Sequence, residues 1–324
     1  MEGILLATQG AIAQGILWGV MVLGVYITFR VLDFPDMTVD GSFALGGAVC
    51  ATMITKGMNP FLAVLVAILT GVLAGYVTGF LHTVFQIPGI LAGILTQISL
   101  YSINLRIMGR SNLPLLKMDT VFDMVQHAVY NLTGLELASV HVALLIGTIM
   151  AILVICLLYW FFGTEIGCAI RATGNNEYMV RALGQNTNVT KVMALMLSNG
   201  LIGMSGAMVA MYQGFGDVSM GTGAIVIGLA SIVIGEVLFK SFKSFFGKFM
   251  SVVFGAIIYR IIVAYVLQLG LTASDLKLLT AIVVAIALAV PVLAKYTFFK
   301  KLSRTLHYVF ARLFGKVKRQ EGEQ

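Results

Sequence analysis

Long runs of apolar residues, separated by short polar stretches, dominate the pattern along the chain. A run of about 20 apolar residues is long enough to cross the hydrocarbon core of a bilayer as a helix. The pattern does not alternate every second position, as the strands of a membrane barrel would. We therefore predict an all-α, polytopic membrane bundle of nine spans, at residues 9–30, 40–56, 60–85, 88–108, 139–163, 187–212, 221–239, 245–268 and 276–297.

Composition agrees with this interpretation. Of the 324 residues, 59% are hydrophobic and 11% are charged, and the mean hydropathy is +0.97. Soluble domains carry about 25% charged residues, so a water-soluble globular protein is excluded. Cys50, Cys156 and Cys168 lie in or beside apolar segments without paired spacing, which predicts buried thiols and no metal or redox site. Residues 1–297 are predicted to form the transmembrane domain.

The distribution of lysine and arginine predicts the orientation of the chain. Positive residues collect in the cytoplasmic loops of membrane proteins. Fifteen of the 21 fall in segments on one side, eight of them between Lys295 and Arg319. This places the N-terminus outside and the C-terminus in the cytoplasm, in a multi-pass protein of the plasma or inner membrane. Residues 298–324 are predicted to form a basic amphipathic tail on the inner leaflet.

Two distant segments resemble each other. Residues 36–46 and 217–228 both contain an acid, apolar and hydroxyl residues and a glycine, followed by a helix of small residues. On the predicted topology they lie on opposite sides of the membrane, which indicates an inverted repeat of four plus four spans around the span at 139–163. Inverted repeats are typical of transporters. The alternative is that both are ordinary capped helix starts.

The hydrophilic segment 165–187 is predicted to lie in the cytoplasm. Arg171 and Arg181 are ten residues apart, so a continuous helix would bring them within about 100° of one face. One interpretation is that these two arginines pair with acidic residues of a partner. The other is that they have no partner and only reflect the excess of positive residues in cytoplasmic loops. No phosphate-binding loop is present, because Phe239 occupies a required glycine position in residues 235–241. Any ATPase must therefore be a separate chain.

This segment also carries a family resemblance. It combines Gly167, the pair Arg171-Ala172, Asn175, the run Arg-Ala-Leu-Gly at 181–184, and Asn186. In these residues, and in the small-residue stretch 198–207, the chain resembles permease subunits of ABC importers of the branched-chain amino acid and ribose type. Residues 32–43 are similar to a subgroup of amino acid permeases of the tryptophan or tyrosine kind. The resemblance extends to about residue 297.

The resemblance implies a coupling role for the loop, as the contact with a cytoplasmic ATPase. The residues carried over to that role are Glu165, Gly167, Arg171, Ala172, Gly174, Asn175, Glu177, Arg181, Gly184 and Asn186. It also implies a solute-binding protein outside the cell or in the periplasm, and a second permease chain, most simply an identical copy. The permease itself would be no enzyme and would hold no cofactor or metal, since ATP and magnesium would bind the partner ATPase. Neither resemblance nor sequence indicates nucleic acid.

Polar residues within the spans are candidates for the translocation path, because ionisable and polar groups are costly in lipid. Arg260 lies mid-span and would meet a cargo carboxylate or a structural partner such as helix carbonyls. Glu236 lies too far along its helix to pair with Arg260. The candidate path residues are Asp40, Ser42, Thr96, Gln97, Asn104, Asn199 and Arg260.

The predicted outer segment 110–139 is long for a loop. Residues 119–130 read as a capped amphipathic helix. This surface would receive the binding protein or form a lid on the bundle, and the sequence leaves both open.

Other functional classes stay open at this stage. An ion-coupled secondary transporter would also use inverted repeats, but it needs a carboxylate near the midplane, and the chain offers little beyond Glu236. A membrane-embedded enzyme would need a catalytic cluster, which the sequence lacks. The cargo is a small solute. An amino acid is favoured by the resemblance alone, with nucleosides and sugars as alternatives.

Overall fold

The computed structural model describes residues 2–116, 118–134, 138–239 and 244–268, with residues 278, 281, 282, 284, 285 and 289. Within these ranges the chain is helical apart from one short antiparallel strand pair. The elements are α1 Glu2–Tyr26, a π-helix Ile27–Val31, α2 Val39–Thr55, α3 Pro60–Thr83, α4 Gly89–Met108, β1 Asn112–Pro114, α5 Val121–Thr133, α6 Ser139–Gly163, α7 Glu165–Asn175, α8 Glu177–Ala182, α9 Thr187–Gln213, β2 Phe215–Asp217, α10 Ala224–Leu238 and α11 Phe245–Gln268.

Six of the described helices are long and apolar enough to cross a membrane. They are Ala7–Val31, Pro60–Thr83, Gly89–Met108, Ser139–Gly163, Thr187–Gln213 and Phe245–Gln268. α2 and α10 are apolar but shorter, with 17 and 15 residues. α10 begins three residues later than predicted because turns occupy positions 218–223. The predicted ninth span at 276–297 and the tail at 298–324 lie outside the described residues, apart from the isolated positions above.

α1 and α9 cross at the centre of the bundle. Ser198 and Ser205 of α9 donate hydrogen bonds to the α1 carbonyl oxygens of Gly24 and Leu17, each at 2.7 Å. α2 and α3 pack along α9, while α10 and α11 pack along α1. α9 therefore packs against one short and one long helix from the first half of the chain, and α1 packs against one short and one long helix from the second half.

The outer faces of α3, α4 and α6 expose large apolar side chains, which suits contact with lipid or with another apolar surface. Examples are Leu69, Leu73, Ile98, Ile149 and Leu157. Cys156 lies on this face of α6 and is exposed, as is Cys168 of α7, so the prediction of three buried thiols is correct only for Cys50. The helical period of α6 places Cys156 beside Leu153 and Leu157 rather than towards the core.

Candidate translocation groove and coupling segment

The first turns of α2 and α10 meet inside the bundle. The Asp40 carboxylate accepts hydrogen bonds from the backbone N–H groups of Gly223 and Ile225, both at 2.9 Å. The similar segments were predicted on opposite sides of the membrane, but here their helix starts touch. The reason is that residues 215–223 run back along α2, from a position beside Ala51 to one beside Asp40.

The two segments also share a local hydrogen bond. In the first, Asp36 Oδ1 accepts from the backbone N–H of Thr38 at 2.9 Å. In the second, Asp217 Oδ1 accepts from the backbone N–H of Ser219 at 2.7 Å. Each aspartate thus fixes the turn that leads into a short helix, as short polar side chains do at helix entrances.

A groove of about 340 Å³ opens where these helix starts meet. It lies between α2, α4 and the turn 218–222, and it is lined by Asp40, Gly41, Ala44, Gln97, Ile98, Tyr101, Ser102, Asn104, Val218 and Thr222. Asn104 is fully buried and donates from Nδ2 to the Gly41 carbonyl at 3.4 Å. Its Oδ1 has no hydrogen-bond partner among the described residues. Buried acceptors are rarely left unpaired, so this oxygen is suited to receive a donor from a ligand or water.

Three predicted path residues hold helices together instead of lining the groove. Ser42 donates to Asn199 Oδ1 at 2.7 Å, and Asn199 Nδ2 donates to Asp36 Oδ2 at 2.8 Å. Thr96 accepts from the Thr78 hydroxyl at 3.0 Å. These side chains are fully or almost fully buried. Of the predicted path residues, the groove brings together Asp40, Gln97 and Asn104.

Arg260 lies apart from the groove. Its guanidinium sits over the Trp18 ring, with the Arg260 Cζ 3.8 Å from the ring centroid. Among the described residues, its guanidinium contacts this aromatic face, which attracts the cation. Glu236 binds Arg30 at the end of the π-helix, which agrees with the expectation that Glu236 does not pair with Arg260.

The predicted coupling loop forms two short helices, α7 and α8. Arg171 and Arg181 do not share one continuous helix, because the chain is extended at Asn176 (φ −157°, ψ 96°). The Asn176 side chain accepts from Met179 N at 3.1 Å and so begins α8. Asparagine favours this capping role, which ends one helix and starts the next. We call residues 164–187 the coupling segment.

Three charged side chains of the coupling segment, those of Arg171, Glu177 and Arg181, are engaged within the chain. Glu177 forms ion pairs with Arg181 at 2.6 Å and Lys191 at 2.8 Å, and it accepts from the Thr187 hydroxyl at 3.1 Å. Partial burial alone would raise the pKa of Glu177, but the hydrogen bond and charge of Lys191, with Thr187 and Arg181, hold that pKa below its usual range. Arg171 lies over the Phe245 ring, 5.3 Å from its centroid.

The remaining predicted coupling residues have structural or surface positions. Gly167 packs on the backbone of Phe161 and Phe162, and Gly174 packs on the backbone of Val31 and Leu32, each so closely that a side chain would collide. Gly184 has φ +83°, which favours glycine. Asn186 caps α9, while Glu165 and Asn175 are exposed and Ala172 is half-buried.

Sequence reasoning missed the exposed apolar side chains of the coupling segment. Tyr178 is 83% exposed and Leu183 74% exposed, and both belong to or follow α8. Large apolar side chains in a polar loop often mark a contact surface. The signal was present in the sequence as Tyr178, Met179 and Leu183 within an otherwise polar stretch.

The opposite end of the bundle carries the strand pair and α5. β1 pairs antiparallel with β2 through Asn112–Asp217, Leu113–Gly216 and Pro114–Phe215. The predicted capped helix is confirmed as α5, with Thr120 and Asp123 forming a capping box. A cavity of about 800 Å³ lies beneath it, lined in part by Gln14, Asp119, Asp123, His127 and Tyr212. Within the described ranges no group of three metal-binding side chains occurs.

Comparison with known proteins identifies relatives over most of the chain. Residues 8–292 match the family model described as branched-chain amino acid transport system / permease component. The chain is 42% identical over 291 residues to the tyrosine transport system permease protein of Clostridioides difficile (strain R20291), covering 89% of this chain and 91% of that protein. It is 33% identical over 287 residues to the uncharacterized protein RP368 of Rickettsia prowazekii (strain Madrid E), covering 86% and 95%. No solved structure matches the chain.

Proposed function

The chain belongs to the family of permease components of branched-chain amino acid transport systems, and from that premise we propose that it forms the translocation path of an ABC importer for an amino acid. Such a protein is a multi-pass membrane permease and not an enzyme. The amino acid cargo is supported by the relative named as a tyrosine transport permease. ATP and magnesium bind the ATPase partner in this proposal, and the permease itself holds no cofactor.

The full architecture we propose is the inverted repeat of four plus four spans, with nine spans in all. Support comes from the paired packing of α2 and α3 on α9 and of α10 and α11 on α1. The shared turns of Asp36 with Thr38 and of Asp217 with Ser219 add to it. Discontinuous short helices that meet within the bundle are typical of transporter sites.

The groove between α2 and α4 is our candidate for the cargo path. It lies where the two short helices start, and it carries the unpaired Asn104 oxygen beside the exposed Tyr101 ring. An amino acid offers an ammonium donor for such an oxygen, and an aromatic side chain would stack on a tyrosine. Because the groove is open on one side, we place a second, identical chain across the exposed face of α4.

The coupling segment is our candidate for ATPase docking, and one observation carries this assignment. Glu177 and Arg181 are engaged within the chain and tie α8 to α9, and Arg171 of α7 stacks on Phe245, while Tyr178 and Leu183 are left exposed. A rigid element that presents apolar side chains is suited to fill a groove in a partner. Because the coupling segment must then lie in the cytoplasm, α5 and its cavity face the outside and offer the surface for the solute-binding protein. The C-terminal tail would be cytoplasmic.

A pull-down from the native membrane tests the docking proposal. We expect the tagged chain to co-purify with an ATPase, and we expect Leu183→Asp to abolish both this association and ATP-driven uptake of labelled L-tyrosine. A buried apolar contact of this kind contributes about 2 kcal/mol or more, or about a thirtyfold loss of binding. The matched control for ATPase association is Leu116→Asp, which changes a leucine of similar exposure at the opposite end and should leave that association unchanged.

The opposite result would favour an ion-coupled secondary transporter. In that case the chain would purify without an ATPase and accumulate cargo in liposomes under an ion gradient alone. Asp40 is the carboxylate that such a transporter would offer at the groove, and its two hydrogen bonds to the start of α10 give it a structural role in our proposal.

A further inference from the structure

The linker between α1 and α2, residues 32–38, contacts the coupling segment directly. The backbone of Val31 and Leu32 lies against Gly174 of α7, with no side chain between them. Packed protein interiors transmit displacement because they are dense and hardly compressible. A movement of α7 against α1 must therefore displace the start of the linker.

The same linker is held by the turn between α3 and α4 and by α4 itself. The Phe34 ring packs edge-on against His82, with ring centroids 5.0 Å apart. Gly89 faces the same ring, and a Cβ added there would lie 2.6 Å from it. At Gly93 of α4, an added Cβ would lie 2.6 Å from the Met37 nitrogen. The linker thus fits tightly along the first two turns of a helix that lines the groove.

A buried polar network ties the linker to α9 and α2. Asp36 is fully buried, and its Oδ2 accepts from Asn199 Nδ2 at 2.8 Å. Asn199 in turn accepts from Ser42 Oγ at 2.7 Å. Thr38 hydrogen-bonds the Thr78 hydroxyl of α3 at 2.7 Å. Separating Asp36 from Asn199 would leave a buried carboxylate poorly paired, which is costly, so the two must move together.

The start of the linker, where it leaves the π-helix, has a backbone geometry suited to rearrangement. Leu32 N donates to the Ile27 carbonyl and Phe34 N to the Thr28 carbonyl, both at 2.9 Å, which closes wide turns. The bond of Leu32 to Ile27 closes a π-turn, a geometry that is frequent at functional sites. Asp33 holds φ +56°, an uncommon conformation for a residue with a side chain. A cavity of about 460 Å³ between the linker and the coupling segment leaves space for movement.

We propose that the α1–α2 linker is the mechanical connection that passes movement of the coupling segment to α9 and to the groove helices α2 and α4, with Asp36 and Asn199 as its positioning residues. The inference rests on the proposed importer function, because it needs a partner that moves α7. Beyond that function, it names the residues through which movement would pass from the coupling segment to the groove. It assigns Asp36 and Asn199 a role in conformational coupling instead of cargo contact.

The test uses the complex with its co-purifying ATPase and a cysteine probe in the groove. Cys156 and Cys168 are exposed and are first replaced by serine, and Ser102→Cys is introduced on the groove lining. Maleimide labelling of the probe is compared between the nucleotide-free and the ATP-vanadate-trapped complex. We expect the state-dependent change in labelling rate to fall about tenfold in Asp36→Asn, within the usual range of coupling between sites. ATPase association should stay unchanged.

The exchange Asp36→Asn with Asn199→Asp provides the rescue. It reverses the donor and acceptor but keeps a carboxylate–amide hydrogen bond, so the labelling response should return. The control is Ser99→Ala on the exposed face of α4, where the hydroxyl bonds only the Leu95 carbonyl of its own helix. A merely structural role of Asp36 would alter recovery or melting temperature without altering the dependence of labelling on nucleotide.

The outcomes separate the two proposals. If no ATPase co-purifies with the parental chain, the importer function fails, whatever the linker does. If the ATPase binds and Asp36→Asn responds to nucleotide as fully as the parental chain, the linker proposal is overturned. If Asp36→Asn does not fold, the milder Ser42→Ala and the double exchange test the linker proposal instead. The proposal is refuted if the labelling of Ser42→Ala depends on nucleotide as strongly as that of the parental chain. It is also refuted if the labelling of the folded double exchange does not depend on nucleotide.

Discussion

Glu177 illustrates how one residue sets the shape of the coupling segment. It is the common acceptor for Arg181, Lys191 and Thr187, so it connects α8 to the start of α9. The sequence predicted docking roles for Glu177 and Arg181. The structure places both in an internal network, because their side chains reach each other one helical turn apart. In the docking that we propose, a partner would meet the apolar surface that this network holds in position.

The lowered pKa of Glu177 predicts a dependence of stability on pH. A carboxylate with a lowered pKa stabilises the fold above its ordinary pKa of about 4.3, and this stabilisation is lost as the pH falls through the lowered value. At pH 7 we therefore expect Glu177→Gln to reduce the free energy of unfolding by about 1 kcal/mol, as for a partly exposed ion pair.

Melting temperatures in detergent between pH 3 and pH 8 would check this expectation. The difference between the parental chain and Glu177→Gln should begin to narrow as the pH falls below the ordinary pKa of about 4.3, and it should disappear below the lowered pKa, where the carboxylate is protonated in both states. Glu165→Gln is the matched control, since Glu165 is an exposed carboxylate in the first turn of α7. A constant difference across the whole range would show that charge is not the cause.

At the scale of elements, close backbone contact holds α3 against α9. Gly75 faces the Leu195 carbonyl and the Met196 Cα, and a Cβ at position 75 would lie 2.9 Å from that Cα. Small residues at such crossings allow helices in membranes to approach closely. A methyl group can be accommodated only if α3 moves away from α9, since the atoms it meets belong to the backbone.

We expect Gly75→Ala to destabilise the protein by about 1–3 kcal/mol, the usual cost of overpacking. Gly163→Ala, at the end of α6, is the control because nothing lies within 4 Å of an added Cβ there. The change at Gly75, inside α3, gains about 1 kcal/mol of helix propensity, and the change at the end of α6 gains less, so the difference between them is a lower bound on the steric cost. The measurement is thermal unfolding in detergent, and equal stability of the two variants would contradict the prediction.

Elements defined by local pattern were predictable from the sequence, whereas elements defined by distant contacts were not. The ends of α6 and α11 agree with the predicted spans 139–163 and 245–268, because apolar periodicity alone defines them. The start of α10 depends on Asp40, which is 183 residues away from Gly223 in the chain. The π-helix Ile27–Val31 has no composition that distinguishes it from a regular helix.

The candidate site shows the same division. Gln97 and Asn104 were recognised because polar residues in an apolar span are unusual, and they do line the groove. Asn199 was recognised for the same reason but holds Asp36, since burial can serve structure as well as a path. The contact of Arg260 with Trp18 joins residues on α11 and α1 that are distant in sequence, and no pattern along the chain predicts it.

At the scale of the whole molecule, the bundle separates two working ends. The coupling segment and the linker lie at one end, and α5 with the strand pair lies at the other. The groove lies between them, where α2 and α10 begin. In a permease arranged in this way, we expect movement at one end to reach the other through rigid helices joined by flexible linkers.

The contact between Asp40 and the start of α10 has an electrical consequence for transport. A helix N-terminus carries about half a positive charge, and the Asp40 carboxylate at hydrogen-bond distance largely neutralises it. The described lining of the groove otherwise holds no charged side chain. A zwitterionic amino acid carries no net charge, so its passage through such a groove would move none across the membrane, whereas each full charge crossing would be worth about 2.3 kcal/mol per 100 mV. We expect uptake of a zwitterionic amino acid into proteoliposomes to be equally fast with and without a potassium diffusion potential, and a rate that changes with the potential would contradict this expectation.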